Sequence, residues 1–228
     1  MDNRQSNYSI VPAVQTIEYG TKMSSLDLFS ATLYTNKRAL AERFLSLTSL
    51  EGPKIVEQMA DDCCYLSFGS CATPSPPEAE QGYHLQIQDD SVSIASTTEQ
   101  GLWYGCMTLL QILNQNGFDH FQTCTIVDAP VLANRGIMLD LSRGRVYTLS
   151  YLKELVVLVS KLKLNVLQLY IEHTYAFSFL GAVHEGSDPL SADEIRSLDA
   201  WCKEYYVELQ PNLQSFGHCN RLLATKGF

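Results

Sequence analysis

Three short polar groups close apolar runs in this sequence: Asp140-Leu-Ser-Arg143, Glu172-His173, and the stretch from Gln214 to His218. Each carries a side chain able to do chemistry. Arg143 offers five N–H donors in a rigid fork, which suits gripping the oxygens of a ligand, although an exposed arginine also serves as half of a surface ion pair. Asp140, three residues earlier, has two roles open to it: orienting Arg143, or capping the loop with its carboxylate. Glu172 and His173 are further candidates, and the competing role for Glu172 is a solvated acid at a strand end. His218 stands alone, and a lone histidine is usually structural.

Other chemistries find less support. The only adjacent Asp-Glu pair, Asp193-Glu194, sits in Ser191-Ala-Asp-Glu194, a capping box in which the serine and glutamate satisfy each other's backbone donors. The cysteines Cys63, Cys64 and Cys71 form no Cys-x-x-Cys pair and no His-x-x-x-His pair exists, so neither a metal nor another cofactor is expected. Gly101 and Gly105 fall inside a helical pattern rather than between a strand and a helix. They therefore suit close packing, not a phosphate loop.

The elements that must position the polar groups follow from periodicity. Gly136–Leu141 reads as a strand, and from Thr148 a helix carries the stripe Leu152, Leu155, Val156, Val159 and Leu162. Val166–Ile171 is a second strand. A helix starting at the Ser191 capping box, stapled by Leu190 and Ile195, buries Ile195, Leu198, Cys202 and Tyr205; Val207–Leu213 is a third strand. The order β-α-β-α-β, with crossovers of this length, implies parallel pairing in an α/β barrel or an open sheet.

Before residue 130 the grammar differs. Tyr83–Gln88 and Ser91–Ala95 alternate apolar with polar around Asp89-Asp90, a hairpin expected to bury one face. A helix from Thr98 to a stop at Gly117 carries Leu102, Cys106, Leu109, Leu110 and Leu113. Leu40, Phe44 and Leu47 suggest another helix, Cys64–Phe68 a strand, and Ser70–Gln81 an exposed loop. These make an α+β unit over residues 1–130, with 131–228 as a second, α/β unit.

Composition narrows the partners. The 228 residues are 46% apolar and carry a formal charge of −9 without long runs of either sign, a poor match to nucleic acid or an anionic membrane. No apolar run approaches the roughly 20 residues of a membrane helix. The opening MDNRQSNYSIVPAV lacks a signal-peptide pattern, so a cytoplasmic product is expected. Seven scattered cysteines fit reduced thiols.

Two segments in order, Tyr83 to Ile87 through Gly101-Leu-Trp-Tyr-Gly105-Cys-Met-Thr-Leu109, then Asp128-Ala-Pro130 with Arg135-Gly-Ile-Met-Leu-Asp140-Leu-Ser-Arg143, resemble glycoside hydrolase family 20, the β-N-acetylhexosaminidases. The resemblance covers roughly residues 80–228, and Gln210-Pro-Asn-Leu-Gln-Ser-Phe-Gly217-His218 looks most like the hexosaminidase D-type branch. It implies an N-terminal α+β domain, called zincin-like though it binds no metal, followed by a (β/α)8 TIM barrel with about three strands present. Active sites of such barrels lie at the C-terminal strand ends, where the three polar groups fall.

By this resemblance Arg143 holds the hydroxyls of a terminal N-acetylhexosamine, with Asp140 beside it, and His218 supports the catalytic acid. The family cleaves by substrate assistance: the sugar's acetamide oxygen attacks the anomeric carbon, an Asp orients the acetamide, and the adjacent Glu protonates the leaving oxygen. That pair belongs to a fourth strand, and no catalytic pair is present here. The second strand also departs from the family pattern, with Glu172-His173-Thr174 where many members have two aspartates. The resemblance thus implies a hexosaminidase fragment inactive alone; the alternative is a non-catalytic module binding carbohydrate or protein. A cut barrel should leave Ile137, Leu139, Val166, Leu167, Leu169 and Ile171 partly exposed and prone to self-association.

Overall fold

A computed structural model describes residues 8–48, 50–59, 63–69, 74–119, 121–178, 183–184 and 186–225. The chain divides into two units, Met1–Ala133 and Asn134–Phe228.

The first unit runs β1 (Thr16–Met23), β2 (Leu33–Thr35), α1 (Arg38–Ser46), β3 (Ile55–Glu57), β4 (Cys64–Phe68), β5 (Tyr83–Ile87), β6 (Val92–Ser96), α2 (Glu99–Asn116) and β7 (Gln122–Asp128). Its sheet has the order β1-β7-β5-β6-β4-β2-β3. Every pairing is antiparallel except β2 with β3. The β5–β6 hairpin forms as its alternation predicts, but the expectation of a single buried face holds only for β5: every residue of β6 is buried. Interior position is not the reason, since β5 is interior as well, between β7 and β6; the second face of β6 carries the small residues Ser93 and Ala95, both buried. Of the Ser70–Gln81 segment, residues 70–73 lie outside the described residues, and 74–81 form loop and turn.

Helix α2 begins where Thr98 Oγ1 accepts the N–H of Gly101 at 3.1 Å and ends at Gly117, whose φ of 81° suits a residue without Cβ. Its two internal glycines permit close packing on the sheet. A Cβ on Gly105 would fall 2.4 Å from Ile94 Cγ2, and one on Gly101 2.2 Å from Ser96 Oγ. Trp103 and Tyr104 beside them are buried with Tyr83, Phe44 and Phe68 in the core of this unit.

The second unit runs β8 (Gly136–Asp140), α3 (Leu149–Lys161), β9 (Val166–Ile171), α4 (Ala192–Glu204), β10 (Glu208–Leu213) and α5 (Asn220–Leu223). The strands pair in parallel in the order β10-β9-β8. Gly136 is required by backbone proximity, because a Cβ there would lie 2.3 Å from the Val166 carbonyl oxygen. Arg135 locks the turn entering β9: its Nε and Nη2 donate to the Lys163 carbonyl, and its own N–H donates to Asn165 Oδ1. The capping box at Ser191 and Glu194 forms in full, so Asp193-Glu194 is a helix start.

The sheet's two faces differ. The cross-strand rows Met138/Gln168/Gln210 and Asp140/Tyr170/Asn212 carry mostly polar side chains, whereas Ile137/Leu167/Leu209 and Leu139/Leu169/Pro211 are apolar. Helix α4 packs on β10 and α3 packs on α4, burying Leu152, Val156, Val159, Leu198 and Cys202; Leu155, Leu162 and Ile195 are only half-buried. The expected partial exposure of the strand residues holds for Ile137 and Leu139 and needs correction for the other four. Val166, Leu167, Leu169 and Ile171 are buried, because β9 has a neighbour on each side, while Ile137 and Leu139 on the outer strand β8 are half-buried. Among the described residues of these three strands the fully exposed large apolar side chains are Met138 at 60% and Leu213 at 48%, one on each outer strand.

Candidate functional site

At the C-terminal end of β8 the chain turns sharply. Asp140 Oδ1 accepts the backbone N–H groups of Ser142 (2.8 Å) and Arg143 (3.2 Å), while Oδ2 accepts Arg143 Nη1 at 3.0 Å. The two roles considered for Asp140 therefore coexist, one on each carboxylate oxygen. Ser142 ties this turn to the next strand end, its Oγ accepting the N–H of Glu172 at 2.7 Å.

Arg143 reaches across to that strand end. Its Nη2 donates to the Tyr170 hydroxyl at 3.0 Å and to Glu172 Oε1 at 3.3 Å, and its guanidinium carbon lies 4.9 Å from the Tyr170 ring centroid. The Tyr170 hydroxyl donates to the same Glu172 oxygen at 2.8 Å. Partial burial and the hydrogen bond to Glu172 raise the Tyr170 pKa, which Arg143 partly offsets. The hydroxyl thus remains a donor at neutral pH.

His218 stands at the edge of this group, with Nδ1 3.7 Å from Glu172 Oε1 and its ring edge-on to Tyr170 at 6.4 Å. His173 is not drawn in. Its Nδ1 is buried without a hydrogen-bond partner, and its pKa is lowered first by burial and then by the positive charge of Arg221. The structure thus gathers Asp140, Arg143 and Glu172, places His218 beside them, and leaves His173 out. Tyr170 was missed in the sequence, although period-two alternation puts it on the same strand face as a residue two positions on.

The arrangement is one guanidinium between two carboxylates, with the arginine side chain 58% exposed and Glu172 19% exposed. It presents fixed donors beside acceptors, a pattern that matches neutral hydroxyl groups better than an anion, which the carboxylates would repel. A groove of about 400 Å3 lies elsewhere, along β10 between Leu169, Ile171, Ile195, Leu209, Pro211 and Leu213. Among the described residues no cluster of His, Cys, Asp and Glu is arranged to hold a metal, and no helix is long and apolar enough to cross a membrane.

The sequence profile of glycosyl hydrolase family 20, domain 2, matches residues 7–129, more than half of the chain. The chain belongs to this family. A probable β-hexosaminidase of Drosophila melanogaster, fdl, is 24% identical over 151 residues, which cover 60% of this chain and 22% of the fly protein. The family 20 β-N-acetylhexosaminidase of Streptomyces coelicolor superposes over 94% of this chain and 48% of its own, with a TM-score of 0.75 and 20% identity. The exo-β-N-acetylglucosaminidase of Vibrio harveyi, solved in complex with N-acetylglucosamine, gives 0.73 and 19% identity over 94% of this chain and 37% of its own. The chain therefore shares their mixed α/β fold and spans less than half the length of each.

Proposed function

We propose that residues 134–228 are the opening of a (β/α)8 barrel and hold the terminal sugar of an N-acetylhexosamine-containing carbohydrate at the ends of β8, β9 and β10. The observation that carries this reading is the guanidinium of Arg143, fixed by Asp140, Tyr170 and Glu172 yet open to solvent. Arg143 donates to sugar hydroxyls, Asp140 orients it, Glu172 accepts a hydrogen bond from a sugar hydroxyl, and His218 supports a catalytic acid. Family membership and the match to the N-acetylglucosamine complex support the ligand class. Hydrolysis itself requires an Asp-Glu pair beyond these residues, because Asp193-Glu194 is consumed by the helix cap. The open outer strands β8 and β10 further suit self-association, a property that sedimentation analysis reads directly.

Binding and turnover separate the parts of this reading. The 228-residue chain is expected to bind N-acetylglucosamine in an NMR titration, with Arg143→Ala weakening it by about 1.5–3 kcal/mol, or about 10- to 100-fold. It should not hydrolyse a chromogenic N-acetylglucosaminide, since general acid catalysis alone contributes about 10²–10⁴-fold. Binding indifferent to Arg143→Ala, or turnover that survives repurification, overturns the assignment.

A further inference from the structure

The residue that joins the two halves of the site is Tyr170. We infer that it is a positioning residue, whose hydroxyl and ring hold Arg143 and Glu172 in one fixed arrangement before any ligand arrives. The inference rests on the reading that Arg143 grips a sugar.

Distances favour it over a direct Arg143–Glu172 pair. Charge-assisted N–H···O contacts are ordinarily about 2.7–2.9 Å, whereas Arg143 Nη2 stands 3.3 Å from Glu172 Oε1. The tyrosine hydroxyl fills that gap, accepting from Nη2 at 3.0 Å and donating to Oε1 at 2.8 Å. Its ring is buried in the central strand, in register between Asp140 and Asn212, so it cannot follow the arginine if the arginine moves. The guanidinium also lies over that ring, adding a cation–π attraction. Asp140 anchors one guanidinium nitrogen from the end of β8 and Tyr170 anchors the other from the next strand. An arginine 58% exposed would otherwise sample many rotamers, and a ligand would have to immobilise it. Two anchors on different strands remove most of that loss beforehand.

The test compares Tyr170→Phe with the unaltered chain by ¹⁵N NMR of the arginine side chains. In the unaltered chain the Arg143 Nε–H order parameter should exceed that of Arg196, which among the described residues pairs with Asp193 on the surface. In Tyr170→Phe it should fall towards Arg196, with circular dichroism unchanged, and the dissociation constant for N-acetylglucosamine should rise about three- to tenfold. An Arg143 as mobile as Arg196 in the unaltered chain overturns the proposal without any variant being needed. An Arg143 equally rigid after Tyr170→Phe also overturns it. If the unaltered chain binds no sugar but Arg143 loses order in Tyr170→Phe, the positioning role stands and the sugar-binding reading fails.

Discussion

A tyrosine pairs with a carboxylate in each unit, with opposite consequences. In the first, the Tyr83 hydroxyl lies 2.6 Å from Thr108 Oγ1 and donates to Asp128 Oδ2 at 2.9 Å, while Asp128 Oδ1 accepts the Gln15 N–H. Tyr83, Thr108 and Asp128 are buried in the sheet-and-helix core while Gln15 is exposed, and burial pushes the Tyr83 hydroxyl pKa well above its ordinary value. In the second, Tyr170 meets Glu172 at the end of a strand, and an exposed arginine joins them. A paired polar group is not thereby a site. What distinguishes the second arrangement is the donor capacity it leaves facing solvent, whereas the first closes on itself and contributes fold.

This contrast makes ranked predictions. The largest effect should come from Trp103→Ala in the core of the first unit, where a fully buried indole is removed; urea unfolding followed by circular dichroism should lose about 3–5 kcal/mol. Next, Asp128→Ala should cost about 1–3 kcal/mol, because it takes the acceptor from the buried Tyr83 hydroxyl. Glu172→Gln, with its partners near solvent, should cost about 1 kcal/mol or less while weakening the binding of N-acetylglucosamine. Equal stability losses for Asp128→Ala and Glu172→Gln would erase the distinction between the units.

The smallest effect concerns the cap of α4. Hydrogen bonds from the Ser191 backbone and side chain lower the Glu194 pKa below its ordinary 4.5. A depressed carboxylate contributes stability above its unfolded pKa and loses it as pH falls through the folded value. Ser191→Ala should therefore destabilise α4 by about 0.5–2 kcal/mol at pH 7, and the gap to the unaltered chain should narrow as the pH falls below the ordinary 4.5 and through the lowered value. Hydrogen exchange of the first α4 turn measures both. A gap that widens in acid would refute the capping account.

Much of the chain was legible in its residues. Helices α2, α3 and α4, the β5–β6 hairpin and the three parallel strands follow from periodicity and caps, with the third strand starting at Glu208 rather than Val207. Strands β1, β2, β3 and β7 did not stand out, and β7 shows why. Its buried positions include Gln122 and Asp128, whose burial depends on partners far along the chain, the Gly20 carbonyl and Tyr83. Strands β2 and β3 have three residues each, too few for a period. In the site, residue type and strand-end position pointed to Asp140, Arg143 and Glu172, but Tyr170 read as one more apolar strand position.

By itself the sequence determined what acts within a few residues: the Thr98 and Ser191 caps, the Gly117 stop, the Asp140 turn and the alternation of β5. Those depend on hydrogen bonds that close over short loops, so the local pattern suffices to specify them. Tertiary structure alone decided that β6 is buried on both faces, which strand lies beside which, and hence that Tyr170 stands beside Asp140 and that His218 approaches Glu172 while His173 does not. Cross-strand register is set by packing summed over the whole sheet, and no single stretch of sequence contains that sum.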